Sequence, residues 1–127
     1  MNPKDKIALT KVPMWSLPAI GAVHGAMATA DGIGKYGPYN WREKPIKLME
    51  YIGAMERHIA CLKDGEDFTS DNPDNPVSHL GCIIADASII LDAAQSGTLI
   101  DDRPTPGPVT ASDQLEDYHV RAKAAAS

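Results

Sequence analysis

The sequence predicts an all-α fold, a bundle of three to four helices whose core is completed by homo-oligomerisation. Three observations lead there. Apolar residues recur at helical spacing in several stretches, and nothing alternates at period two over a useful length. Glycines, prolines and capping residues fall where helices would start and stop. Aromatics are only 6% of the chain, so its core must be made of Ala, Ile, Leu, Val and Met. The 127 residues suit one domain. Three helices with wide, alanine-rich faces bury little alone, so a dimer or tetramer is the expected way to finish the core.

Residues 1–15 read as an extended polar arm with two prolines. Ser16 is placed to cap a first helix, with Pro18 in its first turn, running to about Ala30. Gly21 and Gly25 within it permit close packing against another helix. Gly32 and Gly34 are expected to break it, making residues 31–42 a loop. That loop carries Tyr36, Tyr39 and Trp41 between Lys35 and Arg42, and large aromatics in such a loop either fold back or face a ligand. A second helix is expected over residues 44–63, with Pro45 in its first turn and Gly65 just past its end. The polar stretch that follows reads as a solvated connection. A third helix is expected over residues 77–96, capped by Ser78 or Asn75 and stopped by Gly97. Its stripe of Leu80, Ile83, Ile84, Ala87, Ile90, Leu91 and Ala94 makes it central. Residues 105–127 read as a Pro/Gly linker and a tail able to form a short helix.

A net charge of −5 and a pI near 5.2 exclude a general binder of nucleic-acid polymers, which needs clustered Lys and Arg. No run approaches a membrane span, and the N-terminus lacks a signal-peptide core, so a cytoplasmic protein is expected. Cys61 and Cys82 read as buried thiols of a reducing compartment. His58/Cys61 and His79/Cys82 are each an i,i+3 pair, which could form a four-ligand site on facing helices. Core cysteines beside polar histidines are the favoured reading.

Chemistry-bearing residues cluster in sequence. Asp86 interrupts an apolar run, a costly position unless its carboxylate is paired, as with Arg57, or holds a metal. Glu50, Glu66, Asp67 and Asp86 could offer oxygen ligands to Mg²⁺, whose shell is completed by water and phosphate. Lys35, Arg42 and Arg57 could meet phosphate oxygens, Tyr36 or Trp41 could stack on a base, and Asn40 could read a base edge. His58 could act as a general base or orient a metal ligand.

Taken together, Gly34-Lys35-Tyr36-Gly37-x-x-Asn40-Trp41-Arg42, Tyr51-x-x-Ala54-x-x-Arg57-His58, Gly65-Glu66-Asp67, His79-Leu80 and Asp101-Asp102-Arg103-Pro104 resemble a known family. Its members are small phage-borne proteins described as dATP/dGTP diphosphohydrolase-like and associated with MazG-type all-α nucleotide pyrophosphohydrolases. The resemblance spans roughly residues 2–104. It implies a nucleotide-binding domain over residues 16–104 and cleavage of a deoxypurine triphosphate to monophosphate and pyrophosphate with Mg²⁺ or Mn²⁺. It implies the host cytoplasm as the place of action, and a purine nucleotide as partner. On that reading Glu66, Asp67 and Asp86, with Glu50 or His79, hold the metal. Lys35, Arg42 and Arg57 neutralise the leaving pyrophosphate, Tyr36, Asn40 and Trp41 hold the nucleoside, and His58, Glu66 and Arg57 serve catalysis. MazG-type enzymes carry Glu-x-x-Glu and Glu-x-x-Asp on successive helices, whereas this chain shows His79-x-x-Cys82. Either other residues hold the metal, or the chain keeps a nucleotide pocket without that chemistry and sequesters its ligand.

Overall fold

The computed structural model describes residues 2–4 and 10–127; residue 1 and residues 5–9, part of the expected arm, lie outside the description. The chain is helical, as its periodicity predicts. Among the described residues four long helices follow in order: α1 (Ala19–Tyr36), α2 (Leu48–Lys63), α3 (His79–Ser96) and α4 (Ala111–Ala126). Two-residue strands β1 (Ile46–Lys47) and β2 (Leu99–Ile100) pair in parallel, Ile46 opposite Leu99 and Lys47 opposite Ile100. The central element is α3, which packs against both α1 and α2.

Why α3 can lie so close to α1 is written in small residues. A Cβ at Gly81 would stand 2.6 Å from the His24 carbonyl oxygen, and one at Gly25 would stand 2.9 Å from Ile84 Cγ2. The buried residues of α3 are therefore His79, Gly81, Ala85 and Ala93. Of the larger members of its predicted stripe, Ile84 meets Gly21 and Gly25 of α1, whereas Leu80 and Leu91 remain 60% and 69% exposed. Among the described residues the buried hydrophobic side chains are Leu48, Ala85 and Ala93. Ile20, Val23 and Met27, on one stripe of α1, are exposed.

Several expected boundaries move. Ser16 does not cap α1: its hydroxyl donates to the Pro13 carbonyl within a 3-10 turn over Met14–Ser16. Gly32 and Gly34 do not break α1, because a helix tolerates glycine at a cost of about 1 kcal/mol each when nothing demands a left-handed residue. The stop is Gly37, at φ 82, followed by Pro38. The second helix starts at Leu48 instead of Lys44, since residues 45–47 are extended and Ile46 pairs with Leu99. Lys44 precedes a proline, which already disfavours helix there. With no cap of its own, α2 takes one from beyond β2: the Met49 amide donates to Asp102 at 2.8 Å. For α3 the expected signals hold, with Ser78 accepting from the Gly81 amide and Gly97 left-handed at φ 74. The tail helix α4 carries a Thr110/Asp113 capping box, and all its residues are exposed.

Three glycines should respond differently to alanine. Gly81→Ala should destabilise by about 1–3 kcal/mol, since backbone must move. Gly25→Ala should cost less, its obstacle being a side chain. Gly32→Ala has nothing within 4 Å of the added carbon and should stabilise by about 0.5–1 kcal/mol. Urea melts of the three variants rank them; equal effects would show that the crossing is not that tight.

Candidate functional site

Between α1, the turn that follows it, and α3 lies an open groove of about 910 Å³. The turn is shaped by Tyr39, which takes a left-handed φ of 53, and by a 3-10 turn over Asn40–Arg42. This folds Trp41 and Arg42 onto one carboxylate of α3. The Trp41 indole donates to Asp92 Oδ2 at 2.7 Å, and Arg42 donates through Nε and Nη2 at 2.8 Å each. Tyr39 lies against both, its ring centroid 5.2 Å from that of Trp41 and 4.4 Å from Arg42 Cζ. Arg42 and Trp41 hold the Asp92 carboxyl at about 2, below the usual carboxylate range.

A second carboxylate of α3 behaves in the opposite way. Asp86 also lines the groove, half-buried, and its Oδ2 is buried with no hydrogen-bond partner. Burial pushes its carboxyl up to about 6, against the pull of Arg57. The Tyr51 hydroxyl beside it is raised by burial and by the Asp86 charge. From α2, His58 reaches the same groove. Burial, then the neighbouring His79 and Arg57, lower its pKa. His58 Nδ1 lies 2.8 Å from His79 Nδ1.

The sequence-predicted residues divide into two groups and a remainder. Tyr36, Asn40, Trp41, Arg42, His58 and Asp86 line the groove together. Glu66 and His79 meet elsewhere, beside Cys61, with ligand atoms of the three within 4.8 Å of one another. Arg57 is outside the groove lining but close enough to act on Asp86 and His58. Lys35 is paired with Asp31 at 3.0 Å. Glu50 and Asp67 are exposed and do not line the groove. Sequence reasoning missed Asp92, although a second acid inside the apolar run of α3 was visible there, and it missed Lys44, which lines the groove. Both cysteines are free and partly buried.

A family model described as dATP/dGTP diphosphohydrolase, N-terminal, matches residues 1–103. The chain belongs to the dATP/dGTP diphosphohydrolase N-terminal family. That match takes in the groove, the His58–His79 contact and β2, and stops short of α4. No curated protein and no solved structure matches the chain. Among the described residues no helix is long and apolar enough to cross a membrane.

The two carboxylates of this family member give pH predictions of opposite sign. Asp86 holds its proton up to about 6, while an unfolded Asp loses it near 3.9, so charging Asp86 costs stability as pH rises between those values. Asp86→Asn should therefore be more stable than the parent at pH 8, by on the order of 1 kcal/mol once solvent screening of a half-exposed group is allowed for. Paired urea melts at pH 4 and 8 test this, and a loss at pH 8 would mean an ion pair with Arg57 dominates. Asp92 is depressed, so its tie to Arg42 and Trp41 should persist above the unfolded value and be lost as pH falls through about 2. The Trp41 indole N–H resonance reports it; release near pH 4 would show a weaker tie.

Proposed function

We propose that the groove binds a purine deoxynucleoside triphosphate and that the protein cleaves it to the monophosphate and pyrophosphate. The observation that carries this reading is Asp86: a partly buried carboxylate with an unpartnered oxygen, in a nucleotide-sized groove lined by aromatic and basic side chains. Family membership supports the same chemistry. Tyr36 and Trp41 offer ring faces for the base, and Asn40 offers an amide for its edge. Lys44 and Arg42 offer cations for the phosphates, and Arg42 must exchange Asp92 for a phosphate to do so. His58, whose pKa is lowered by burial, offers a ring nitrogen as a hydrogen-bond partner. Water adds at the α phosphorus, the α–β anhydride bond breaks, and pyrophosphate leaves with the electron pair.

Mg²⁺ or Mn²⁺ fits this groove through Asp86, because such ions are held by one or two carboxylates plus substrate phosphate oxygens. When bound, the ion would offset phosphate charge and lower the pKa of a coordinated water. A second copy of the chain would cover the exposed stripe of Ile20, Val23 and Met27 and complete the core.

One observation favours sequestration without turnover as a second reading. The groove's other acid, Asp92, is already occupied by Arg42 and Trp41, leaving a single carboxylate for catalysis.

Incubation with dGTP or dATP and Mn²⁺ separates the two readings. Turnover to monophosphate and pyrophosphate is expected, with Asp86→Asn slower by about 100-fold or more. Tyr36→Ala, a residue 70% exposed in the free protein, should weaken binding by about 1–3 kcal/mol. Tight binding without products selects sequestration, and no binding of either nucleotide overturns both.

A further inference from the structure

We infer that Cys61, Glu66 and His79 form a second site, outside the groove, for a divalent ion of borderline softness such as Zn²⁺. The local fold brings the three together for reasons unconnected with the groove. The end of α2 is a Schellman turn: the Glu66 amide donates to the Cys61 carbonyl at 3.0 Å, and the Gly65 amide to the Leu62 carbonyl at 3.1 Å. With Gly65 left-handed at φ 90, the chain doubles back and sets Glu66 beside Cys61. The loop then returns through an antiparallel bridge, Phe68 opposite Ser78, and the His79 amide donates to the Asp67 carbonyl at 2.9 Å. The first residue of α3 thus lands on the last turn of α2.

A thiol, a carboxylate and an imidazole there place one ligand atom each within 4.8 Å of one another. The imidazole itself points to a ligand. His79 is 5% exposed, and its Nε2 is buried with no hydrogen-bond partner. The nearest Glu66 oxygen, at 3.8 Å, is too far to accept a hydrogen bond. It is close to the spacing of neighbouring ligands in a tetrahedral zinc shell, about 3.3–3.6 Å. The other nitrogen of His79 faces His58 Nδ1 at 2.8 Å, so one of the two must carry the proton. If His79 donates, its Nε2 is left with a lone pair directed at Cys61 and Glu66, as in metal-ligating histidines whose second nitrogen is held by a partner.

The donor set decides the ion. A thiolate and an imidazole suit Zn²⁺ and disfavour Mg²⁺, which takes oxygen ligands. Binding forms bonds to Sγ, Nε2 and one carboxylate oxygen, and releases the Cys61 thiol proton to solvent. Glu66, already a hydrogen-bond partner of the Cys61 thiol and with a side chain 60% exposed, has room to close the remaining distance to His79. Three protein ligands leave a fourth position for water or an oxygen of a bound molecule. Occupancy would also fix the proton of His79 on Nδ1, make His58 Nδ1 the acceptor, and turn the other nitrogen of His58 into a donor.

Titration of the metal-free, reduced full-length protein with Zn²⁺ against a chromophoric chelator tests the site without nucleotide or turnover. One equivalent per chain should bind, undisturbed by excess Mg²⁺. Cys61→Ala and Glu66→Gln, both outside the buried core, should each weaken binding by about tenfold or more, while Cys82→Ala should not. Co²⁺ in place of Zn²⁺ should give a thiolate charge-transfer band that Cys61→Ala abolishes and Cys82→Ala keeps. Failure to bind one equivalent, or binding and a band indifferent to Cys61→Ala, would overturn the assignment.

Discussion

Gly81 stands where the His24 carbonyl of α1 leaves no room for a Cβ, and the arrangement of α3 follows from that contact. At the same point Ser78 Oγ accepts from the Gly81 amide and sits 3.1 Å from His24 Nδ1, so cap and crossing share one hydroxyl. The crossing sets how far α3 stands from α1, and therefore how wide the groove is and how deep Asp86 lies. It also fixes where His79, two residues before Gly81, meets the end of α2. Small side chains here serve position more than burial. The hydrophobic gain from Ala85 and Ala93 is modest, and large apolar residues are left at the surface.

The helical class, the Ser78 cap and the glycine stops at 65 and 97 were legible because each is a local signal with a local cause. What could not be read was set by contacts distant in sequence. Residues 45–47 leave the helix because Ile46 finds Leu99, more than fifty residues away. Gly32 and Gly34 looked like breakers, yet of the three glycines near the end of α1 it is Gly37, with Pro38 behind it, that has a positive φ. In the site, the aromatic and basic turn was visible as a cluster, and Asp86 was visible as an acid in an apolar run. That Arg42 and Trp41 would both choose Asp92, and that Glu66 would join Cys61, depended on a left-handed Tyr39 and on a Schellman turn.

Asp86 and Asp92 show how one helix makes two kinds of acid. They are six residues apart and line the same groove. Asp92 is exposed enough to stay hydrated and receives three hydrogen bonds from charged or polar donors, so it is a fixed anion. Asp86 faces no donor at Oδ2 and is more deeply placed, so its charge is costly and its proton is retained to near-neutral pH. The free groove thus holds one anion tied to its own turn by Arg42 and Trp41, and one adjustable acid with an open oxygen.

The return of the chain between α2 and α3 has an evolutionary corollary in polymer terms. Its ends are fixed by the Gly65 turn and by the Phe68–Ser78 bridge, while residues 70–76 between them are exposed. Lengthening such a tip raises the entropy of closing it only logarithmically, about 0.6 kcal/mol for each doubling. The tip can therefore grow, shrink or accept an inserted segment at little energetic penalty, while Glu66 and His79 stay in register on either side of it. Length variation concentrated at this point, with its flanks held constant, is the sequence drift the architecture permits.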